Sequence, residues 1–310
     1  MAAQDAAARL DPITRNEPSF DVGEAYEVLG LIEQRRRAAG WQPVGRKIGF
    51  TNRTLWPRYG VFQPMWAHVW RHTVHEFSGG RGTLSLQGLV QPRIEPEVAF
   101  KLRAVPALEA AASSHSHGRR VPSPETGSRV LPPEDARQGL SPEDARQGLS
   151  PEDARQGLSP EEARCVLSAV EWMAPSFEVV QSHFPDWRFK AADCTADCGL
   201  HGCLAVGPPV PVTPHDVEEL AGLLARFTLT LRKGGEVVER GGGANVLGSP
   251  ALALAHLVRL LASQPQFPPL AAGEIITTGT LTDAWPVTAG ETWSSDYGGL
   301  GLAGLTVSFQ

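Results

Sequence analysis

Many short strand-like runs, few helical stretches and numerous glycine turns predict an α+β chain built around a large mixed β fold with peripheral helices. Strand character recurs at 94–100, 171–180, 202–206, 227–232, 235–238, 274–278 and 305–309, and Asp186-Trp187 reads as a turn before another strand with Lys190 and Asp193 near its end. Helical spacing is confined to 21–39, a stretch starting near 159, and 248–263. The first helix should end on the basic run Arg35-Arg36-Arg37, where cations complement the helix dipole, and stop at Gly40.

Bulk properties narrow the function classes. At 310 residues with a net charge of −6, the chain has no electrostatic bias towards nucleic acid or an anionic membrane. The longest apolar run, 251–262, is interrupted by His256 and Arg259, and residues 1–9 have no apolar core of signal-peptide length. A cytoplasmic location is therefore expected. Of the four cysteines, Cys194, Cys198 and Cys203 lie close to His201. None of their spacings is a C-x₂-C zinc knuckle, so free, partly buried thiols are expected.

The stretch with the most chemistry is 91–100. Alternation places Glu95 and Glu97 on one face of a strand. Two adjacent carboxylates repel, and a divalent cation would remove that cost; a solvated strand face is the alternative. A second strand, 171–180, carries Glu178 between Phe177 and Val179. Three carboxylates on two strands would form a hard-oxygen site suited to Mg²⁺ or Mn²⁺. Otherwise Glu178 could pair with a cation such as Arg93.

Lys47 interrupts a short apolar stretch bounded by Gly45 and Gly49. It reads either as a surface lysine or as a partly desolvated group for acid–base work or carboxylate binding. Residues 55–75 are dense in Trp, Tyr and His and suggest a core edge or pocket wall. Composition shifts sharply at about 104–158, where one nine-residue unit occurs identically at Ser141 and Ser150, nearly so at Pro132, and diverged at Ser159. Each unit has a helix start and a glycine stop, except the last, which should run on as a full helix. The first three copies are expected to form an insertion that plays no part in metal binding.

Segments 45–51, 91–100, 171–178 and 186–197, followed by 243–250 and 273–282, together resemble the fumarylacetoacetate hydrolase superfamily. The branch they resemble most is that of the 2-keto-4-pentenoate hydratases and 4-oxalocrotonate decarboxylases. The resemblance implies a mixed β roll with a small N-terminal helical part, divided as a lead-in at 1–75 and a catalytic domain at 76–310. It implies a metal held by Glu95, Glu97 and Glu178, with Lys47 and Lys190 catalytic and Thr280 and Asp193 binding substrate. The implied activity is that of a lyase, hydratase or decarboxylase, acting on a small 2-oxo acid through a metal-stabilised enolate, as in aromatic catabolism. A homo-oligomer is expected.

Two departures stand out. Where the branch has Gly-Val-Asp-x-Pro-Asp, this chain has Gly60-Val61-Phe62-Gln63-Pro64-Met65, and where it has Ala-Asp-Asn-Ala-Ser, this chain has Ala196-Asp197-Cys198-Gly199-Leu200. Met65 makes the expected pocket more apolar and removes a proton carrier. Two alternatives follow: a C–C hydrolase of an acylpyruvate, which needs a base such as His183 or His201, and a non-catalytic 2-oxo acid binder.

Overall fold

The computed structural model describes residues 1–108 and 159–310, apart from the side chain of Arg58. The three repeat copies at 132–158 lie outside the described residues. The fourth bears out its reading: Ser159 caps a helix at Pro160–Ser168, its hydroxyl accepting from the Glu162 amide while Glu162 accepts from the Ser159 amide. The expected first helix is Val22–Ala38, capped reciprocally by Asp21 and Glu24.

Fourteen strands follow in chain order among the described residues. They are β1 (Pro43–Gly49), β2 (Met65–Trp70), β3 (Val74–Glu76), β4 (Arg81–Leu84) and β5 (Arg93–Leu102). Next come β6 (Val170–Val180), β7 (His201–Val206), β8 (Val210–Pro211), β9 (Thr228–Lys233) and β10 (Glu236–Gly242). The last are β11 (Ile275–Thr277), β12 (Trp285–Pro286), β13 (Thr292–Gly298) and β14 (Leu305–Phe309).

Nine strands form a mixed sheet in the order β2-β1-β11-β5-β6-β7-β3, with β12 beside β5 and β8 beside β6; five form a second sheet, β10-β9-β13-β14-β4. The architecture is α+β, as the sequence predicts. β1 and β2, inside the expected lead-in, are full members of the larger sheet, because the Trp- and His-rich stretch makes β2 wholly buried.

Alternation places the site. On β5 and β6, Ile94, Phe177 and Val179 enter a core with Trp293, Leu305 and Phe309 of the second sheet. Side chains at the intervening positions must then face the other way. That opposite face carries Ala99, Ala174, and all three glutamates. The register pairs Glu95 directly with Glu178, and Glu97 with Ser176.

β5 is also open where the site needs it to be. It pairs with β12 at Arg93–Ile94 and with β11 at 99–101, leaving 95–98 between them. Pro96, which lacks an amide to donate, lies in that interval. The loop after β11 crosses there, with the Leu281 amide donating to the Pro96 carbonyl and the Gly279 amide to Glu97 Oε2.

The stretch after β6 differs from expectation. The turn is present, as a tight 3₁₀ turn at Pro185–Trp187, but a short helix, Ala191–Ala196, takes the place of the strand.

Candidate metal centre and its cleft

The three carboxylates converge, each offering an oxygen within 4.8 Å of the others. Glu97 and Glu178 are fully buried and Glu95 partly so. Lys47 reaches them from β1, with Nζ 2.9 Å from Glu178 Oε2. On its other side, Glu178 Oε1 meets His201 Nδ1 at 2.7 Å, and His201 Nε2 meets the Thr73 hydroxyl at 2.8 Å.

The charges do not balance. Burial pushes Glu95 up to about 7, Lys47 only partly offsetting it. Burial and then repulsion from Glu178 and Glu95 push Glu97 well above the ordinary carboxylate range. Glu178 goes the other way: burial opposes ionisation, but Lys47 and His201 outweigh it and hold the group low. Lys47 loses stability as a cation through burial and more than regains it from Glu178, Glu95 and Glu97, so it is held as an ammonium.

Glu97 Oε1 is buried with no hydrogen-bond partner. An orphaned carboxylate oxygen in an all-oxygen, net-negative cluster is the donor chemistry of a hard divalent cation, so the residues fit such an ion. Glu178 keeps spare lone pairs while bound to Lys47 and His201, which orient it as outer partners orient a ligand.

The framework around the carboxylates is stiff. Gly279 has φ +95°, and a Cβ there would lie 1.9 Å from the Thr51 hydroxyl oxygen. Thr51 is fixed in turn by donating to the Thr278 carbonyl. From the second sheet, the Tyr297 hydroxyl donates to the Glu97 carbonyl at 2.7 Å. In the sequence Thr73, Gly279 and Tyr297 have no assigned role, and His201 only that of a candidate hydrolytic base; the register that surrounds them shows what they do.

A narrow cleft that opens to solvent lies over this cluster. Lys47, Glu95 and Thr280 line its polar end. Phe50, Trp187 and Leu200 line it with positive φ values of 54°, 58° and 62°, strained backbone that non-glycine residues adopt rarely.

The expected site residues separate into two groups. Glu95, Glu97, Glu178 and Lys47 come together. Thr280 reaches the cleft, but its hydroxyl proton is engaged by the Thr282 carbonyl. Lys190 and Asp193 do not join. Lys190 precedes the Ala191–Ala196 helix, exposed, in a separate groove with Asp11 and Arg15. Asp193 is buried and spent, accepting from the Thr14 amide and hydroxyl and from the Lys190 amide. Its work is to fasten the N-terminal segment to that helix.

Of the departures, Met65 lines the cleft and accepts the Cys194 thiol hydrogen at 3.3 Å, whereas Phe62 is 60% exposed. His183 pairs with Asp197 at 2.8 Å, and neither His183 nor His201 lines the cleft. All four cysteines are free thiols. Among the described residues no helix is long and apolar enough to cross a membrane.

Two strands holding three convergent glutamates under a half-apolar cleft describe a metal-site β fold. The model of the fumarylacetoacetate hydrolase C-terminal family matches residues 152–308, just over half of the chain, and the protein belongs to that family. It is 28% identical to 2-hydroxyhexa-2,4-dienoate hydratase of Comamonas testosteroni, over 97% of this chain and 91% of that one. It is 27% identical to 4-oxalocrotonate decarboxylase of Pseudomonas sp. strain CF600, over 94% and 87%. In structure it resembles 4-oxalocrotonate decarboxylase from Pseudomonas putida, solved with magnesium and adipate, with a TM-score of 0.72 at 24% identity, covering 100% of this chain and 94% of that one.

Proposed function

We propose that the protein is a divalent-metal-dependent lyase that hydrates or decarboxylates a small 2-oxo acid. The observation that carries this reading is the convergence of Glu95, Glu97 and Glu178, with an orphaned buried oxygen, beside Lys47. Glu95, Glu97 and Glu178 would hold Mg²⁺ or Mn²⁺, which supplies Lewis acidity towards a keto oxygen.

Both reactions move negative charge onto that oxygen. Hydration adds hydroxide to the alkene carbon conjugated with the keto group and a proton to its neighbour. Decarboxylation breaks a C–C bond, releases CO₂ and puts a proton in its place. Lys47, held as an ammonium at the polar end of the cleft, provides a fixed donor where charge develops. An ammonium held this firmly has no lone pair with which to take a proton and gives one up reluctantly, so it is assigned an electrostatic, hydrogen-bond-donating role. The apolar walls exclude water from the rest of the cleft and strengthen that interaction.

The hydrolase reading is weaker because it needs a base in the cleft, and both candidate histidines are engaged elsewhere. Calorimetry with Mg²⁺ and Mn²⁺, with and without oxalate, on wild type and Glu97→Ala tests the proposal. Metal binding that oxalate tightens, lost in the variant, is expected. A folded wild type that binds neither ion makes the cluster structural and ends the lyase reading.

A further inference from the structure

The reverse face of β1 holds a basic pocket that has no part in the carboxylate cluster. Arg46 precedes Lys47 on that strand, and alternation turns it to the opposite side. There it lines a pocket with Arg37, His68, Arg71 and Glu274, rimmed by the 268–274 loop. Arg46 is only 3% exposed, yet its Nε and Nη1 donate to nothing. The guanidinium stands 5.3 Å from the Trp66 ring, a contact that satisfies no N–H.

The acid that faces it does not close the gap. Glu274 Oε2 lies 3.8 Å from Arg46 Nη1, too far for a hydrogen bond. Glu274 Oε1 accepts from the Ala271 amide, and Oε2 has no partner. Burial disfavours both charges, pushing Arg46 down and Glu274 up, and each offsets that only in part for the other. Arg37 and His68 are taken up by Glu33, at 2.8 Å and 3.0 Å. Arg71 is exposed at the rim and has no ion pair among the described residues, so positive charge is in surplus.

Two unmet demands thus face each other: the donors of a buried guanidinium, and a carboxylate oxygen able only to accept. Buried polar groups left unpaired are rare and costly. A bare anion answers the first demand and is repelled by the second. An oxyanion that keeps a proton answers both, because its oxygens accept from Arg46 and its O–H donates to Glu274 Oε2. Inorganic phosphate keeps such a proton in neutral and mildly alkaline solution. Sulfate, of the same shape, has none, and a phosphomonoester loses its last proton at about pH 6.

We propose that this pocket binds inorganic hydrogen phosphate, with Arg46 as the buried anchor, Arg71 as a second cation at the rim and Glu274 as the acceptor that selects for the proton of the ion. The site is independent of the lyase reading, and neither depends on the other.

Calorimetry on the full chain at about pH 8, after chelator treatment and dialysis so that no ion on the carboxylate cluster offers phosphate a second place to bind, would compare inorganic phosphate, sulfate and methyl phosphate. Phosphate should bind with a Kd of about 1 mM or tighter, and at least about tenfold more tightly than either other ion. Glu274→Gln puts a group that can donate where only an acceptor stood, so sulfate should gain and the preference should narrow to about threefold or less. Arg46→Met keeps an apolar stem over Trp66 and should abolish binding. Arg71→Ala, at an exposed position, should weaken it by about two- to tenfold. Urea unfolding reports whether each variant has kept its fold. Sulfate bound as tightly as phosphate by wild type overturns the proposal, and so does unchanged phosphate affinity in a folded Arg46→Met protein. Should that variant fail to fold, Arg71→Ala decides, and an unchanged affinity there overturns the proposal as well. No phosphate binding by wild type at about 10 mM means that water alone bridges Arg46 and Glu274, and the site falls.

Discussion

The two ends of the cleft are made from different material. The charged end stands on the central strands β1, β5 and β6, where register fixes every side chain and neighbouring layers hold the backbone. The apolar end uses only the tips of β2 and β6, at Met65 and Val180, with Cys194 of the Ala191–Ala196 helix, and draws Phe50, Trp187 and Leu200 from connections, these three in strained left-handed backbone. Ionic chemistry needs placement to a fraction of an ångström, which a sheet interior gives. An apolar wall needs only shape, and loops can vary that shape without disturbing the charges. The contrast predicts that substitutions at the charged end cost much in both stability and turnover, and those beyond it far less.

The largest effect should follow Lys47→Met, which keeps the apolar stem and deletes the ammonium paired with Glu178, leaving it His201 alone. Turnover should fall by at least about 100-fold. In chelator, where no metal offsets the carboxylates, the variant should lose roughly 3–5 kcal/mol, the usual consequence of breaking a buried ion pair. Added Mg²⁺ should restore part of that stability. Urea unfolding in EDTA and in Mg²⁺ makes the check, and equal stability of variant and wild type in EDTA would refute the role given to Lys47.

Gly279→Ala comes next. The added methyl meets the Thr51 hydroxyl and the backbone is at φ +95°. A cost of about 2–4 kcal/mol is expected, from overpacking and left-handed strain together. Pairing it with Thr51→Ala removes the hydroxyl and should recover the overpacking part but not the strain. Full recovery would mean that the backbone conformation is costless, and no recovery that the contact is.

How much of this was legible in the sequence follows from the same division. Strand alternation put Glu95 and Glu97 on one face, and an isolated acid among apolar residues marked Glu178; both inferences need only a period of two. Lys47 was visible for the same reason. Across-sheet neighbours were not, because nothing in 201–206 says that His201 will face Glu178, and nothing near 297 says that its hydroxyl will reach β5. The stretch 184–193 was misread as leading to a strand because Phe, Trp and Ala are compatible with either form; Asp193 three residues after Lys190 was the capping signal that pointed to a helix. Cap geometry also explains why Lys190, expected beside Lys47, is turned out of the site.

A smaller effect lies outside the cleft, on the Val22–Ala38 helix. Glu33 is only 12% exposed; burial raises its pKa, but His68 Nε2 at 3.0 Å and Arg37 Nε at 2.8 Å outweigh that and hold it at about 2. A carboxylate depressed on folding stabilises the native state fully above its unfolded value and loses that contribution as pH falls through the folded one. The window is therefore from about pH 4.5 down to about 2, and the contribution, discounted for solvent screening, is about 1–2 kcal/mol. Glu33→Gln should show a shallower loss of stability between pH 5 and pH 3 than wild type (about 1 kcal/mol less) in urea titrations. Parallel losses would show that this ion pair contributes nothing.

The smallest effect is the most discriminating. If Lys190 served catalysis as Lys47 is argued to do, Lys190→Ala would lower turnover by orders of magnitude. Its exposed position before the Ala191–Ala196 helix, in a groove separate from the carboxylates, predicts instead that turnover and metal affinity stay within twofold and stability within about 0.5 kcal/mol. Asp193→Ala, beside it, should behave differently: it strips the acceptor from Thr14 and from the helix cap, so stability should fall by about 1–3 kcal/mol while the metal affinity of the folded protein is kept. A large turnover loss in Lys190→Ala with unchanged stability would mean that the 184–200 segment closes over the cleft when substrate binds, carrying Lys190 in from a loop. The division between a charged end fixed by strand interiors and an apolar end drawn largely from strand tips and connections would then hold only for the open form.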